Sequence, residues 1–206
     1  MNEELKQIIE KVQALYFKYG IKSVTMDDVA RELGMSKKTL YQYVSDKNDL
    51  VQKVVTFVME RDHCEFDNIF EKNGNAIEEL IEMTLYINKI MKNHNPSTIY
   101  DLKKYYPNLY KVMMEKRRDK MFQHTINNLK KGKEQGIYRT EIKEDIIAKY
   151  TTILTFQTFE NDTLDMNEFT SPDFFNEVFS YHIRGIANAK GLEILEHNLN
   201  KITENK

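Results

Sequence analysis

Glycine and proline are scarce, 7 and 3 in 206 residues. So few helix breakers suit long, uninterrupted helices. A single cysteine, Cys64, excludes an intramolecular disulfide and a cysteine-based metal cluster. No apolar run approaches the ~20 residues needed to span a bilayer. The N-terminus, Met1-Asn2-Glu3-Glu4, has no signal-peptide pattern. These absences predict a cytoplasmic protein with no membrane partner. Charge of one sign is also lacking: the net charge is −2. Any nucleic-acid affinity must then come from a local patch. Internal repeats, low-complexity tracts and convincing strand patterns are absent. No cofactor or metal is implied.

What is present is apolar spacing of helical period along nearly the whole chain. The most informative stretch runs from Thr25 to Lys47. Thr25 is a good N-cap, and Asp28, three residues on, is placed for a capping box. Met26, Val29, Ala30 and Leu33 share a helical face. Gly34 follows, where a helix needs a left-handed stop. Ser36 caps a second helix in which Leu40 and Val44 point inward. Lys37, Lys38, Thr39, Tyr41, Gln42 and Tyr43 remain outside. Two lysines at a helix N-terminus oppose the helix dipole, so local stability does not explain them. Phosphate oxygens and base edges do. Between Ser36 and Lys47 there are three lysines and one aspartate. The stretch is therefore read as a helix-turn-helix, with a first helix over Leu5–Tyr19 completing a three-helix bundle.

The same residues carry a family resemblance. Ile8-Ile9, Leu15-Tyr16, Gly20, Thr25, Val29-Ala30, Leu33-Gly34-Met35-Ser36, Thr39-Leu40-Tyr41, Val44, Lys47 and Leu50 match without a gap. Residues 8 to 55 thus resemble the DNA-binding domain of the TetR family of bacterial transcriptional regulators. Tyr181-His182-Ile183-Arg184-Gly185-Ile186-Ala187 is similar to a late helix of many members. The chain departs from the family's frequent residues at Lys38, Tyr43 and Val44. The resemblance implies an all-α fold: an N-terminal helix-turn-helix domain over 1–50 and a larger helical effector-binding and dimerisation domain over 51–206.

Roles follow from geometry. Lys37, Lys38 and Tyr41 are expected at base edges. Thr25, Ser36, Thr39, Tyr43 and Lys47 are expected at phosphates, and Gln42 at either. Beyond Lys47, a long helix reaches Phe70 and links the two domains. Further helices are expected over 76–92, from Ser97 to Tyr106 with its stop at Pro107, and from an Asn108 cap to Gly132 or Gly136. The loop at Thr163–Thr170 separates helices over 143–161 and 171–190, the second capped by Ser171-Pro172 and stopping near Gly191. These two are apolar on more than one face, which predicts a homodimer through them. Two recognition helices on a two-fold axis read a palindromic operator in double-stranded DNA. Met83, Tyr86, Tyr100, Tyr105, Phe122, Tyr150 and Phe156 are the candidate lining of a site for a small apolar or aromatic effector.

Two other classes compete. A helical ligand-binding or interaction module without DNA binding leaves the exposed lysines unexplained. An enzyme needs a nucleophile–base pair or metal spacing, and neither stands out. His63 and Cys64 are adjacent and point to different parts of a helix surface. His182 lies on an apolar face, as a core or interface histidine does.

Overall fold

Short polar side chains set the helix starts. The computed structural model describes residues 2–71, 74–92, 96–160 and 171–203, and these described residues form ten helices. These are α1 (Glu3–Tyr19), α2 (Met26–Leu33), α3 (Lys37–Leu40), α4 (Lys47–Glu71), α5 (Ala76–Lys92), α6 (Pro96–Tyr105), α7 (Pro107–Glu134), α8 (Glu144–Glu160), α9 (Pro172–Ile186) and α10 (Ala189–Thr203). Strands are absent among the described residues; one isolated bridge joins Tyr138 and Ala187. The fold is all-α.

Asn2 starts α1 two residues before the expected Leu5, because its side chain accepts the Leu5 N–H at 2.9 Å. Ser171 accepts the Phe174 N–H at 3.2 Å, with Pro172 in the first turn of α9, as expected. α6 stops at Tyr105, just before Pro107, as expected, but α7 does not wait for an Asn108 cap. Pro107 is the first residue of α7, where its missing N–H costs no hydrogen bond. The stop near Gly191 is also corrected. α9 ends at Ile186, and Asn188 starts α10 by accepting the Gly191 N–H at 3.1 Å. The expected breaks at 72–73 and 93–95 and the loop at 163–170 lie outside the described residues.

The chain divides into two units. The first holds residues 1–64 and 93–115, the second 65–92 and 116–206. In the first, α1 buries Ile8, Ile9, Val12 and Tyr16, against which α2 and α6 pack. Tyr19, expected on the buried stripe, is exposed and lies beneath the Lys18 ammonium. Leu40, Val44, Leu50 and Val51 complete the described core around the short α3.

The second unit is built on Ile77, Leu80, Ile81, Leu129, Tyr138, Phe179, Ile183 and Leu195. A polar network runs through it. The Tyr138 hydroxyl donates to Asn128 Oδ1 at 3.0 Å. Asn128 Nδ2 donates to the Ala76 carbonyl at 2.8 Å and to Glu79, which also pairs with Lys131. Burial pushes the Tyr138 phenol far above its ordinary range, so it stays a donor. The connector after α7 is held by the chain that follows α9. Arg139 N donates to the Ile186 carbonyl at 2.9 Å, and Asn188 N donates to the Ile137 carbonyl at 3.1 Å.

That crossing leaves no room at Gly191, whose added Cβ would collide with the Ile137 carbonyl oxygen. Gly191→Ala is expected to destabilise the protein by ~1–3 kcal/mol, as overpacking does, and to lower the melting temperature measured by circular dichroism.

Candidate nucleic-acid interface

The helix-turn-helix is assembled by three local devices. Thr25 Oγ1 accepts the Asp28 N–H at 3.2 Å, while Asp28 Oδ2 accepts the Thr25 N–H at 2.9 Å, a complete capping box. Gly34 ends α2 at φ 66°, in the left-handed region. Ser36 then caps α3 by accepting the Thr39 N–H at 3.0 Å. Regular α3 is shorter than its apolar spacing suggests. It covers Lys37–Leu40, and the chain tightens into a turn over 41–43, with Gln42 N donating to the Thr39 carbonyl at 3.0 Å. Leu40 and Val44 are buried and anchor this segment.

Lys37, Lys38, Tyr41 and Gln42 are exposed, and Thr39 and Tyr43 are partly so. They form one continuous outward segment. Their present partners differ. Lys37 Nζ pairs with Asp27 Oδ2 at 2.9 Å, which ties α3 to α2 and holds the lysine above its ordinary pKa. The Glu4 carboxylate beside Tyr43 raises that phenol in the same sense. No carboxylate among the described residues pairs with Lys38. Ser36 and Thr39 hydroxyls are 2.9 Å apart.

Lys47 faces inward more than its sequence position suggests. Its Nζ donates to the Val24 carbonyl at 2.6 Å and to the Lys22 carbonyl at 3.4 Å. Burial pulls its pKa below the usual lysine range. Asp101 of α6 holds the same turn from another side, accepting the Lys22 N–H at 2.7 Å. Asp101 carried no signal in the sequence, because its partner is a backbone amide 79 residues away.

The expected effector-lining residues are only partly brought together. Met83, Tyr86, Phe122 and Phe156 belong to the second unit and are buried or half-buried. Tyr86 meets Phe66 edge-on at 5.3 Å, and Phe156 lies under the Arg118 guanidinium at 5.6 Å. Beside Phe66, His124 stacks on Phe70 at 4.4 Å and lies 3.4 Å from Asp67 Oδ1. Phe66 and Phe70 are on α4, whose apolar stripe carried no sign of a site, and His124 of α7 had no sequence neighbour to mark it. Tyr150 is 60% exposed on α8, so it lines no interior. Tyr100 and Tyr105 are in the first unit and are 57% and 42% exposed. Their rings lie beneath lysine ammoniums. His182 is half-buried, and desolvation of its ring lowers its pKa below the ordinary histidine value.

A capped helix, a left-handed turn and a short second helix with an outward polar face define a helix-turn-helix protein of the DNA-binding type. Residues 8–54 match the family model of bacterial regulatory proteins, tetR family. Over those residues the chain is similar to the DNA-binding domain of that family. The HTH-type transcriptional regulator YvaF of Bacillus subtilis (strain 168) is 35% identical over 102 residues, covering 49% of this chain and 53% of YvaF. The chain thus matches about half the length of that relative. The HTH-type transcriptional repressor KstR2 of Mycobacterium tuberculosis is 16% identical over 153 residues, 73% of this chain and 76% of KstR2. A transcriptional regulator from Cytophaga hutchinsonii shares the fold with a TM-score of 0.72 at 20% identity, over 91% of this chain and 100% of that one.

Two outcomes follow for this unit. Asp101→Ala strands the Lys22 amide, which is expected to cost ~1–3 kcal/mol and to lower the melting temperature. The two bonds from Thr25 hold the Asp28 carboxyl below its ordinary range. A carboxyl with a depressed folded pKa stabilises the fold above its unfolded pKa and stops doing so as pH falls through the folded value. Melting temperature is expected to drop below about pH 4, and less steeply in Thr25→Ala.

Proposed function

We propose that this protein is a dimeric, ligand-responsive DNA-binding transcriptional regulator, a repressor released from a palindromic operator by a small apolar or aromatic effector. The observation that carries this reading is the outward segment Lys37–Tyr43 on a buried Leu40–Val44 anchor. Lys38, Tyr41 and Gln42 reach base edges. Lys37 does so after exchanging Asp27 for a base acceptor, and Thr25, Ser36, Thr39 and Tyr43 meet phosphates. Lys47 contributes chiefly by holding the turn, with its remaining N–H directed to phosphate.

The dimer is supported by a two-sided pattern on α8. Ala148, Thr152 and Phe156 are buried, while Ile146, Tyr150, Ile153 and Leu154 are exposed on a separate stripe. On α9, Phe179, Ile183 and Ile186 are buried, and Val178 and Tyr181 are exposed, Tyr181 to 81%. Large apolar side chains at this spacing make a surface for a second copy of the chain. A homodimer through α8 and α9 presents two helix-turn-helix segments about a two-fold axis.

The effector site is assigned to the second unit, around Met83, Tyr86, Phe122 and Phe156. KstR2 is described as a ketosteroid transcriptional regulator, a flat apolar ligand class that such a lining also suits. α4 is one helix from Lys47 to Glu71 and contains Phe66 and Phe70. An effector that favours one position of α4 alters operator affinity by its differential affinity for the two states, ~1–3 kcal/mol in typical coupled systems.

The test is selection of duplex fragments by the purified protein, followed by titration monitored by anisotropy. A palindromic consensus bound at nanomolar concentration is expected. Lys38→Ala should cost ~1–3 kcal/mol on that site and relax the preference at one position per half-site. Ile153→Asp with Tyr181→Asp should give a monomer by sedimentation that no longer discriminates the palindrome. Absence of any selected sequence, or a monomeric wild-type protein, overturns the reading.

A further inference from the structure

The helix-turn-helix is poorly charged for a DNA-binding surface. Residues 20–50 contain five Lys or Arg and five Asp or Glu, so they carry no net charge. Lys37 is paired with Asp27, Arg31 with Asp28, and Lys47 with backbone carbonyls. A duplex presents a dense, regular line of phosphate charge, and affinity grows with each phosphate neutralised.

A second basic surface lies in the same unit. Residues 97–105 of α6 contain one acid, Asp101, and it is buried on the Lys22 amide. What α6 exposes at its C-terminal end is therefore basic: Lys103 and Lys104, flanked by Tyr100 and Tyr105. Lys104 Nζ donates to the Tyr100 hydroxyl at 3.0 Å and lies 5.3 Å from the Tyr105 ring centroid. Lys22 Nζ lies 4.6 Å from the same Tyr105 ring. Two ammoniums thus converge on one exposed ring. No carboxylate among the described residues is within ion-pair distance of Lys22, Lys103 or Lys104. The rings restrict both lysines to a narrow set of rotamers, which lowers the entropy cost of receiving an anion.

The patch is continuous with the helix-turn-helix. Lys22 stands three residues before Thr25, the N-cap of α2, and its carbonyl accepts from Lys47, the first residue of α4. Helix N-termini of this kind favour phosphate.

We propose that Lys22 and Lys104, held on Tyr100 and Tyr105, form a second, sequence-independent contact to the DNA backbone, flanking the segment read by α3. This rests on the DNA-binding reading above and extends it to α6. The patch contributes affinity and salt dependence and leaves base preference unchanged. It also gives Tyr100 and Tyr105 a role outside an effector site.

The experiment compares wild type, Lys22→Gln/Lys104→Gln and Lys22→Arg/Lys104→Arg on the selected operator and on a random duplex of equal length, each across a salt series. The glutamine pair is expected to weaken binding to both duplexes by the same factor, tenfold or more at low salt. It should reduce the slope of log K against log[salt] by about 1 per lysine in each protomer. The arginine pair should restore the slope. An unchanged slope in the glutamine pair, with wild type still selecting its operator, overturns this inference and leaves the regulator reading intact. Wild-type protein that binds neither duplex removes both. Loss of affinity for the operator alone would make the lysines sequence readers and overturns the assigned role. Unchanged melting temperatures in both pairs are expected, because the substituted side chains are exposed.

Discussion

The turn between α1 and α2 is held from two directions by charged side chains of other helices. Asp101 accepts from the Lys22 amide, and Lys47 donates to the Val24 and Lys22 carbonyls. Backbone polar groups in a tight turn have no ladder to join, so they need side chains or water. Here the anion serves the donor and the cation serves the acceptors, and the two charges attract each other across the turn. The position of Thr25, and with it the start of α2, depends on this arrangement. Everything the recognition segment presents outward is placed from that start. The same turn also sets Lys22 beside Tyr105, so one constraint fixes both parts of the basic surface.

The second unit meets a different constraint. α8 and α9 are each apolar on two faces, and one face of each is satisfied by the unit's own core. Exposed Ile146, Tyr150, Ile153, Leu154, Val178 and Tyr181 remain. Leaving such side chains in water forgoes roughly 1.5–3 kcal/mol apiece, a sum comparable with the stability of a whole domain. A second chain offering the same stripe recovers it without new chemistry, and a two-fold axis follows from self-complementarity. In the proposed dimer, duplication of the reading segment is a consequence of burying this stripe.

Much of the fold was legible because its signals are local. Thr25 with Asp28, Gly34, Ser36, Asp46 and Ser171 with Pro172 each act within three or four residues of themselves, and each does what its position suggests. What was not legible acts at a distance. Lys47 looked like an outward cation, since the sequence does not show the Val24 carbonyl waiting beside it. Gly191 looked like a helix stop. It is small because the Ile137 carbonyl passes over it, a contact between segments 54 residues apart. Tyr100, Tyr105 and Tyr150 were grouped with Met83 and Phe122 on residue type. Aromatic character does not tell a buried ring from an exposed one, and for Tyr100 and Tyr105 the inward anchoring of α6 by Asp101 goes with their exposure.

The lack of net charge in the helix-turn-helix bears on selectivity. Non-specific binding is almost wholly electrostatic and scales with phosphates neutralised, whereas discrimination comes from base-edge contacts. A recognition surface with Lys37 tied to Asp27, Lys47 tied to backbone carbonyls and only Lys38 left of its three lysines is expected to hold random DNA weakly. Each base-edge contact then counts for a larger share of the total. In the proposed arrangement, part of the positive charge lies on α6, which keeps phosphate affinity separate from base reading.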